Sequence, residues 1–381
     1  MHNTIIAQSG AVVNIFDAKI APKRPRTARK SIKIDDKRQT IKTCDRLARA
    51  RVKRAERAAD EVKPMYQRWD EHKALAVQVG ERLISAGLVK RGWRVKMCNQ
   101  ELDIVRCADC GHITIRGASL CRDRLCPLCA WRLAIKRYAA MQTILSVLMS
   151  RVKRASYALV TLTVKNCAPD ALSETLKAMS KAWNAVTYQR WARKWLWGWA
   201  KSIEVTYNSE TGELHPHYHV LMVCDSGKPL SQELIAEWLD RVRREGLTAT
   251  AAAQHADDVI SSAVSDPGKS LIGAVCEVYK YMVKASDTLS MPLGVLHAFA
   301  VGIADKRLIS MGGMIKEIAK ELKQEQLDAA DADMSDTEVC TECKSQHLDR
   351  LTALWSMSGM HYYTAQGKSM VEELASYKED D

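Results

Sequence analysis

The run His215-Pro-His-Tyr-His-Val-Leu-Met-Val-Cys224 decides the fold of this chain. Its later part, Val220 to Val223, is a continuous apolar stretch, which is typical of a buried strand. Alternate side chains of a strand point to the same face with origins about 7 Å apart, so His217 and His219 share one face. Because imidazole is a common metal ligand, the pair predicts a metal site on this strand.

The segments around this run predict the rest of the domain. Ala158–Val164 is rich in β-branched residues, and Ser202–Tyr207 precedes a turn at Asn208–Gly212 that makes it antiparallel to the histidine strand. Helices are predicted at about 171–195 with Asp170 as cap, at 231–245 with Ser231 as cap, and at 271–285. This order of elements predicts an α+β fold with an antiparallel sheet over 151–320.

A third metal ligand is predicted on the neighbouring strand of the hairpin, where Glu204 lies. Two imidazoles and one carboxylate with open coordination positions suit a divalent ion such as Mn²⁺, Mg²⁺ or Co²⁺. His215 could also contribute, although Pro216 separates it from the strand.

The segment Glu277-Val-Tyr-Lys-Tyr281 lies in the last predicted helix. Glu277 and Tyr281 are four residues apart and share a helical face, and Lys280 and Lys284 form a second pair of that spacing. A tyrosine is a weak nucleophile unless a cation or a base assists it, and these groups could do so. Tyr279 is the rival nucleophile, but it lies about 200° round the helix from Tyr281 and away from Glu277. Without the other motifs, an ordinary helix with an exposed Glu/Lys pattern and an aromatic residue in the core is the better interpretation of this segment.

Cysteine pairs form a second metal pattern. Cys107-x2-Cys110 and Cys126-x2-Cys129 have the spacing of a closed tetrahedral zinc site made by four thiolates. Cys121 could replace one of the four.

A weaker pattern of the same kind occurs near the C-terminus. Cys340-x2-Cys343-x3-His347 offers three ligands for a second zinc ion. Two further residue sets could contact nucleic acid or serve the structure alone. Arginines in and near the first cysteine cluster could bind duplex DNA: Arg106, Arg116, Arg122, Arg124 and Arg132. Tryptophans could stack on unpaired bases or fill a core: Trp183, Trp191, Trp195, Trp197 and Trp199.

Charge and composition indicate a nucleic-acid partner. The net charge is +12 with a pI near 9.1, which favours a polyanion. We expect a basic disordered arm at 1–40, a helical region at 41–98, a zinc-binding element with its connecting helix at 99–150, the sheet domain at 151–320 and a loosely attached acidic appendage at 321–381. No apolar run approaches the roughly 18 residues of a membrane span, and a signal peptide is not visible, which predicts a cytoplasmic protein.

In order and spacing, these motifs resemble the HUH endonuclease superfamily, and most closely the single-tyrosine initiators of rolling-circle plasmid replication. Thr161–Asn166 is similar to the first motif, a core strand near the active site. His215–Met222 is similar to the metal motif. Glu277–Lys284 is similar to the tyrosine motif of the subgroup in which a glutamate precedes the tyrosine by four residues. Glu204 lies where that subgroup has an acidic residue before the metal motif.

The resemblance implies a mechanism. A metal ion held by His217, His219 and Glu204 would polarise the scissile phosphate of origin DNA, a duplex with an unpaired hairpin region. Tyr281 would attack it to form a 5′-phosphotyrosine link and release a 3′-OH that primes DNA synthesis, with a host helicase and a DNA polymerase as partners.

The remaining residues of the tyrosine motif also receive roles from the resemblance. Lys280 and Lys284 would neutralise developing charge or hold flanking phosphates. Glu277 would activate water for the terminating cleavage.

Two other functions remain open at this level. A transposase of the same superfamily would use the same metal and tyrosine on transposon ends. A zinc-ribbon DNA-binding regulator with a degenerate nuclease core would bind DNA without cleaving it, but it would not need Glu204, His217, His219, Glu277 and Tyr281 together.

Overall fold

The computed structural model describes residues 65–152, 154–226, 230–258, 274–275, 278, 285–326 and 339–376. The strands are β1 (Glu101–Cys107), β2 (Ile113–Ala118), β3 (Ala155–Thr163), β4 (Leu196–Tyr207), β5 (Leu214–Asp225), β6 (His255–Asp258), β7 (Ile309–Gly312), β8 (Leu348–Ser356) and β9 (His361–Thr364). The helices are α1 (Met65–Ser85), α2 (Val89–Lys96), α3 (Pro127–Arg151), α4 (Leu172–Thr187), α5 (Arg190–Trp195), α6 (Ser231–Arg244), α7 (Ala285–Ser290), α8 (Leu293–Gly302), α9 (Gly313–Gln326) and α10 (Met370–Ser376).

Two antiparallel sheets organise these elements, so the predicted α+β fold is confirmed. One sheet has the strand order β6-β3-β5-β4-β7, and the other has the order β2-β1-β8-β9. The three strands predicted at Ala158–Val164, Ser202–Tyr207 and Tyr218–Cys224 are present as β3, β4 and β5, and each begins earlier than expected. They are longer because their pairing continues beyond the apolar stretches, as in the register of Tyr207 with Leu214 across the hairpin.

The helices agree with the sequence in part. The helix expected at 171–195 is divided into α4 and α5, because Gln189 between them has an extended backbone. Neither predicted cap is used: Asp170 lies in a 3-10 turn before α4, and Ser231 is the first residue of α6. Of the helix expected at 271–285, the structure describes Ala274, Val275, Val278 and Ala285, which are helical, Ala285 as the first residue of α7; the others lie outside the described residues.

The C-terminal segment differs from the expected loose appendage. Strand β8 pairs with the whole length of β1, from Glu101 opposite Leu354 to Cys107 opposite Leu348. A row of backbone hydrogen bonds therefore joins the predicted zinc-binding element at 99–150 to the predicted appendage at 321–381. The basic arm at 1–40 and the acidic stretch 327–338 lie outside the described residues.

The core lies on both faces of the five-stranded sheet. On one face, Tyr218 packs near Trp183 of α4 and Trp238 of α6, with ring centroids 6.3 and 5.5 Å apart. On the other face, Leu221 and Val223 of β5 share a cluster with buried residues of α3 and α9 and with Ala274, Val275 and Val278. Because both faces are covered there, the second half of β5, Val220 to Cys224, is continuously apolar rather than alternating.

The tryptophan set divides between the two roles considered for it. Trp183 is buried in the core, 5.0 Å from the ring of Trp199, which excludes base stacking by Trp183. The other four are half-buried. None of the helices that the structure describes is long and apolar enough to cross a membrane.

Helices α1 and α2 cross at two glycines, which gives a first testable prediction. A Cβ atom at Gly92 would lie 2.6 Å from the carbonyl oxygen of Gly80. We expect Gly92→Ala to lower the free energy of unfolding by about 1–3 kcal/mol, because backbone cannot retreat as a side chain can. Urea denaturation measures the change. Gly294→Ala is the matched control: its Cβ meets nothing within 4 Å, and we expect a change within about 0.5 kcal/mol.

Candidate active site and metal centres

The histidine strand and its hairpin partner form a group of three potential metal ligands, Glu204, His217 and His219, named here the metal group. Glu204 lies opposite His217 in the β4–β5 register, and Ser202 lies opposite His219, so the three ligands project from one face of the sheet. The Nε2 atoms of His217 and His219 are 3.3 and 2.9 Å from Oε2 of Glu204. One ligand atom from each residue lies within 4.8 Å of the others. The structure therefore brings together the three residues that the sequence placed in one site.

Neighbouring groups orient the two imidazoles. Nδ1 of His217 donates to the carbonyl oxygen of His215 at 3.3 Å, and since a carbonyl only accepts, the proton resides on Nδ1. The lone pair on Nε2 of His217 then points at Glu204. Nδ1 of His219 is 3.3 Å from the hydroxyl oxygen of Thr161, so Nε2 is the nitrogen of His219 that faces Glu204. Outer hydrogen bonds of this kind fix the tautomer of metal-binding histidines, so the donor set fits a divalent ion.

His215 is not part of this group. Its Nε2 is 2.9 Å from the hydroxyl oxygen of Thr163, and its Nδ1 is 2.8 Å from the side-chain oxygen of Asn166. Burial lowers the pKa of His215, and the nearby His217 has a smaller effect in the same direction. Because both ring nitrogens are hydrogen-bonded, His215 does not supply a metal ligand. It supports the site through its backbone carbonyl group, which accepts from His217.

Thr161–Asn166 lies beside the metal group, as its resemblance to a core motif near the active site implies. Thr161 and Thr163 of β3 are opposite His219 and His217 of β5. Their hydroxyl groups reach His219 and His215, so this segment provides the outer hydrogen bonds of the site.

The tyrosine motif lies largely outside the described residues, including Glu277, Tyr279, Lys280, Tyr281 and Lys284. Three residues of the same segment are described: Ala274, Val275 and Val278, all buried. They belong to the apolar cluster that contains Ala200 and Leu221. Ala200 lies opposite Leu221, two residues along from Ser202 and His219, so the cluster and the metal group share one face of the sheet.

The cysteines form two groups of four instead of one, which corrects the predicted zinc site. Cys107 and Cys110 do not lie with Cys126 and Cys129. The first group consists of Cys98, Cys121, Cys126 and Cys129, and the second of Cys107, Cys110, Cys340 and Cys343. The prediction was wrong because it paired the two Cys-x2-Cys motifs nearest in sequence, whereas the fold gives each motif a different partner.

The first group, named here the helix-end cysteine group, lies where α2 ends and α3 begins. The Sγ atom of Cys129 is 3.6 Å from those of both Cys98 and Cys121. A zinc tetrahedron with bonds of about 2.3 Å has sulfur–sulfur edges of about 3.8 Å, so the spacing fits zinc. The hydrogen bond between Cys121 and Cys126 lowers the pKa of Cys121 and raises the pKa of Cys126, so four thiolates here require a cation.

The second group, named here the two-knuckle group, combines two similar turns. Cys107 lies 3.5 Å from Cys343, and Cys110 lies 3.5 Å from Cys340, measured between Sγ atoms. Each pair is followed by a residue of positive φ: Gly111 at 66° and Lys344 at 64°. Backbone N–H groups of Gly111 and Lys344 each donate to the first cysteine of their turn, at 3.0 Å. Such a closed set of four thiolates could hold a structural metal ion.

His347 was a candidate ligand for the second site, and the structure gives that position to Cys107 and Cys110. The Nδ1 atom of His347 lies 3.3 Å from Asp109, and the side chain is 78% exposed. Cys121 is a member of a group, as the sequence allowed.

Cys98 and Lys73 were missed by sequence reasoning. Cys98 has no second cysteine near it in sequence and follows α2 directly, so spacing gave no signal. Lys73 is buried and donates to the carbonyl oxygen of Lys96 at 2.8 Å. Burial lowers the pKa of Lys73 to about 8, and the charge of Cys98 opposes that effect. Lys73 places a positive charge beside the helix-end cysteine group.

Two roles were open for the arginines near the first cysteine cluster, binding of duplex DNA or support of the structure, and several of them support the structure. Arg132 is buried against the rings of Trp69 and Trp131. Arg124 donates to the carbonyl oxygens of Ile303 and Lys306. Arg106 lies 3.8 Å from Asp349, whereas Arg122 is exposed.

Comparison with known proteins gives a consistent result. A family model described as "Replication protein" matches residues 112–363, more than half of the chain. "Protein rep" of Lactiplantibacillus plantarum is 28% identical over 306 residues, which are 77% of this chain and 94% of that protein. "Protein rep" of Streptococcus pneumoniae serotype 2 is 28% identical over 280 residues, covering 71% of this chain and 83% of that protein. No solved structure gives a significant match.

Proposed function

Because the chain belongs to the family of replication proteins, we propose that it initiates rolling-circle replication of a plasmid by nicking and rejoining one strand of the origin. The observation that carries this proposal is the group of Glu204, His217 and His219, two oriented imidazoles and a carboxylate on one face of a buried sheet. The family membership supports replication, and the ligand group supports phosphodiester chemistry.

The roles of the three ligands follow from their chemistry. Two Nε2 atoms and one carboxylate oxygen would hold Mn²⁺ or Mg²⁺ and leave coordination positions open on the solvent side. A divalent ion there would supply the positive charge that polarises the scissile phosphate. The hydrogen bonds from His217 to the His215 carbonyl and between His219 and Thr161 keep both rings in place, so the site is preorganised before DNA binds.

Tyr281 is the proposed nucleophile. Val278 and Ala274 are buried in the apolar cluster on the face of the sheet that carries the metal group. Positions three and seven residues after them fall on the same side of a regular helix, and Tyr281 has that spacing. The tyrosine oxygen would bond to phosphorus as the bond to the 3′ oxygen breaks, giving a 5′-phosphotyrosine and a free 3′-OH.

The other charged residues of the motif have assisting roles in this proposal. Lys280 and Lys284 would stabilise charge that develops on the phosphate. Glu277 would accept a proton from water in the terminating cleavage. The partners would be origin DNA with an unpaired hairpin region, a host helicase that unwinds the duplex and a host DNA polymerase that extends the 3′-OH.

The proposal is tested with single-stranded oligonucleotides that span candidate origins of the host replicon. Wild-type protein is incubated with Mn²⁺ or Mg²⁺, and denaturing gels are read for a nick and a covalent protein–DNA adduct. We expect both products, and we expect EDTA to abolish both. Tight DNA binding without nick or adduct, on every origin and with every metal, would instead support the alternative function, a DNA-binding regulator that does not cleave DNA.

Glu204→Gln is expected to reduce the cleavage rate at least about 100-fold. The amide keeps the shape of the side chain but removes the negative charge that holds the divalent ion. Cleavage kinetics and calorimetric Mn²⁺ titration measure the two effects. Glu210→Gln is the matched control, since this exposed carboxylate lies in the turn of the same hairpin. Equal cleavage rates for the wild type and Glu204→Gln would contradict the role of Glu204 as a ligand of the divalent ion.

A further inference from the structure

Helices α1 and α2 form a helix–turn–helix unit at the start of the described chain. Gly87 has a φ of 84° and follows α1, and its N–H donates to Ile84 while the N–H of Leu88 donates to Leu83, each at 2.9 Å. These two bonds form a Schellman motif, which ends α1 sharply. Helix α2 begins at the next residue, so the turn between the helices is three residues long.

The outer face of α2 is apolar and basic. Val89, Trp93 and Met97 lie at successive spacings of four, so they form one stripe, and they are 50%, 50% and 46% exposed. Lys90 and Arg94 form the adjacent stripe and are also exposed. Helix α2 has no acidic residue in its sequence, VKRGWRVK. Large side chains in such a stripe normally pack inward, so an outward stripe marks a contact surface.

The inner face of α2 is fixed rigidly. The Arg91 guanidinium donates two bonds to the Asp123 carboxylate, at 2.8 and 2.9 Å, and a third to the Ala300 carbonyl at 2.8 Å. Arg94 also reaches Asp123, at 2.7 Å. Asp123 lies between Cys121 and Cys126, in the loop of the helix-end cysteine group, and Cys98 of that group follows α2. The cysteine group therefore anchors both the end of α2 and the carboxylate that orients it.

We propose that α2 is a recognition helix that enters the major groove of duplex DNA. A rigid second helix after a short glycine turn is the arrangement with which helix–turn–helix proteins present a helix to that groove. Lys90 would contact phosphates, and Val89, Trp93 and Met97 would contact base edges and thymine methyl groups. The occupant is chosen by charge. Helix α2 has four basic residues and no acidic one; Arg91 and Arg94 are paired with Asp123 and Lys96 with Glu81, while Lys90 is exposed beside the stripe. Together with the net charge of +12, this favours a polyanion.

The proposed function enters this inference only in identifying the duplex as an origin. The active-site face would cut a single strand, while α2 would hold the flanking duplex. Because the two tasks use separate surfaces, they can be lost separately. This separation is what the experiment measures.

The test compares Trp93→Ala, Lys90→Ala and Lys177→Ala in the full chain. Lys177 is an exposed lysine of α4 and serves as the charge control. Fluorescence anisotropy gives the affinity for a duplex origin fragment over a range of salt concentrations. We expect about a tenfold loss for Trp93→Ala, and for Lys90→Ala a salt slope reduced by about one, as for a lost phosphate contact. Lys177→Ala should match the wild type in both measurements. Metal content and thermal unfolding verify that each variant folds.

Cleavage of a single-stranded origin oligonucleotide separates the failure of this inference from the failure of the proposed function. Weaker duplex binding by Trp93→Ala and Lys90→Ala with unchanged single-strand cleavage supports the recognition helix. Unchanged duplex affinity in both variants overturns it, as does a variant that only alters the oligomeric state, since the stripe would then contact another copy. If the wild type does not cleave, the proposed function fails, and the duplex measurement still decides the role of α2.

Discussion

Replacing Tyr281 with phenylalanine is expected to abolish the covalent protein–DNA adduct completely. Phenylalanine keeps the ring and loses only the oxygen that would bond to phosphorus, so no phosphotyrosine can form. Binding of DNA should persist, because the metal group and α2 are untouched. Denaturing gels with DNA labelled on the 3′ side of the cut detect the adduct, and anisotropy measures binding.

Tyr279→Phe is the control for this experiment. It makes the same chemical change two residues away, on the other side of a regular helix, and we expect it to retain the adduct. An adduct that survives in Tyr281→Phe but disappears in Tyr279→Phe would exchange the two assignments. Survival in both variants would exclude both tyrosines as sole nucleophiles and direct the search elsewhere in the chain.

Removing one cysteine from either group of four is expected to reduce bound zinc from two equivalents to one. Cys126→Ser should empty the helix-end cysteine group, and Cys343→Ser should empty the two-knuckle group, because three thiolates hold zinc much less tightly than four. Elemental analysis after dialysis against a chelator gives the stoichiometry. Cys167→Ser is the control, since Cys167 belongs to neither group, and it should retain two equivalents.

Loss of zinc should also lower stability strongly. Structural zinc contributes on the order of 10 kcal/mol of folding free energy per site, so each variant should unfold at a much lower temperature than the Cys167→Ser control. The outcome also discriminates between the two groupings. If Cys107, Cys110, Cys126 and Cys129 formed one site, Cys343→Ser would leave that zinc in place and Cys126→Ser would remove it. Cys98→Ser completes the discrimination, because Cys98 belongs to the helix-end cysteine group and to neither site predicted from spacing; loss of one equivalent in this variant is expected only from the fold described here.

The metal group of the five-stranded sheet can be predicted from the sequence because its geometry is local. The two-residue period of β5 places His217 and His219 on one face. A short turn brings Glu204 opposite His217, and the turn itself is encoded: Asn208 accepts from the backbone N–H of Glu210 at 2.9 Å, and Gly212 has a φ of 73°. No long-range contact is needed to bring these three side chains together.

The support around the site is less visible in the sequence. His215 resembles a ligand because it precedes the pair by two residues, yet its ring is hydrogen-bonded to Thr163 and Asn166. Which nitrogen of a histidine is available depends on neighbours from another strand. The pairing of β3 with β5, which forms only when the chain folds, determines which residues lie next to each histidine.

The sequence by itself determined the α+β class, the histidine–glutamate group and the presence of cysteines that could bind metal, since each depends on spacing within one strand, hairpin or Cys-x2-Cys turn. Only the tertiary structure decided which cysteines meet: Cys110 and Cys340 are 230 residues apart, and the pairing of β1 with β8 brings them together. The tertiary structure also shows that the segment expected as a loose appendage forms strands β8 and β9, and that the stripe of Val89, Trp93 and Met97 is exposed. Spacing encodes local geometry, whereas contacts between distant segments depend on how whole elements pack.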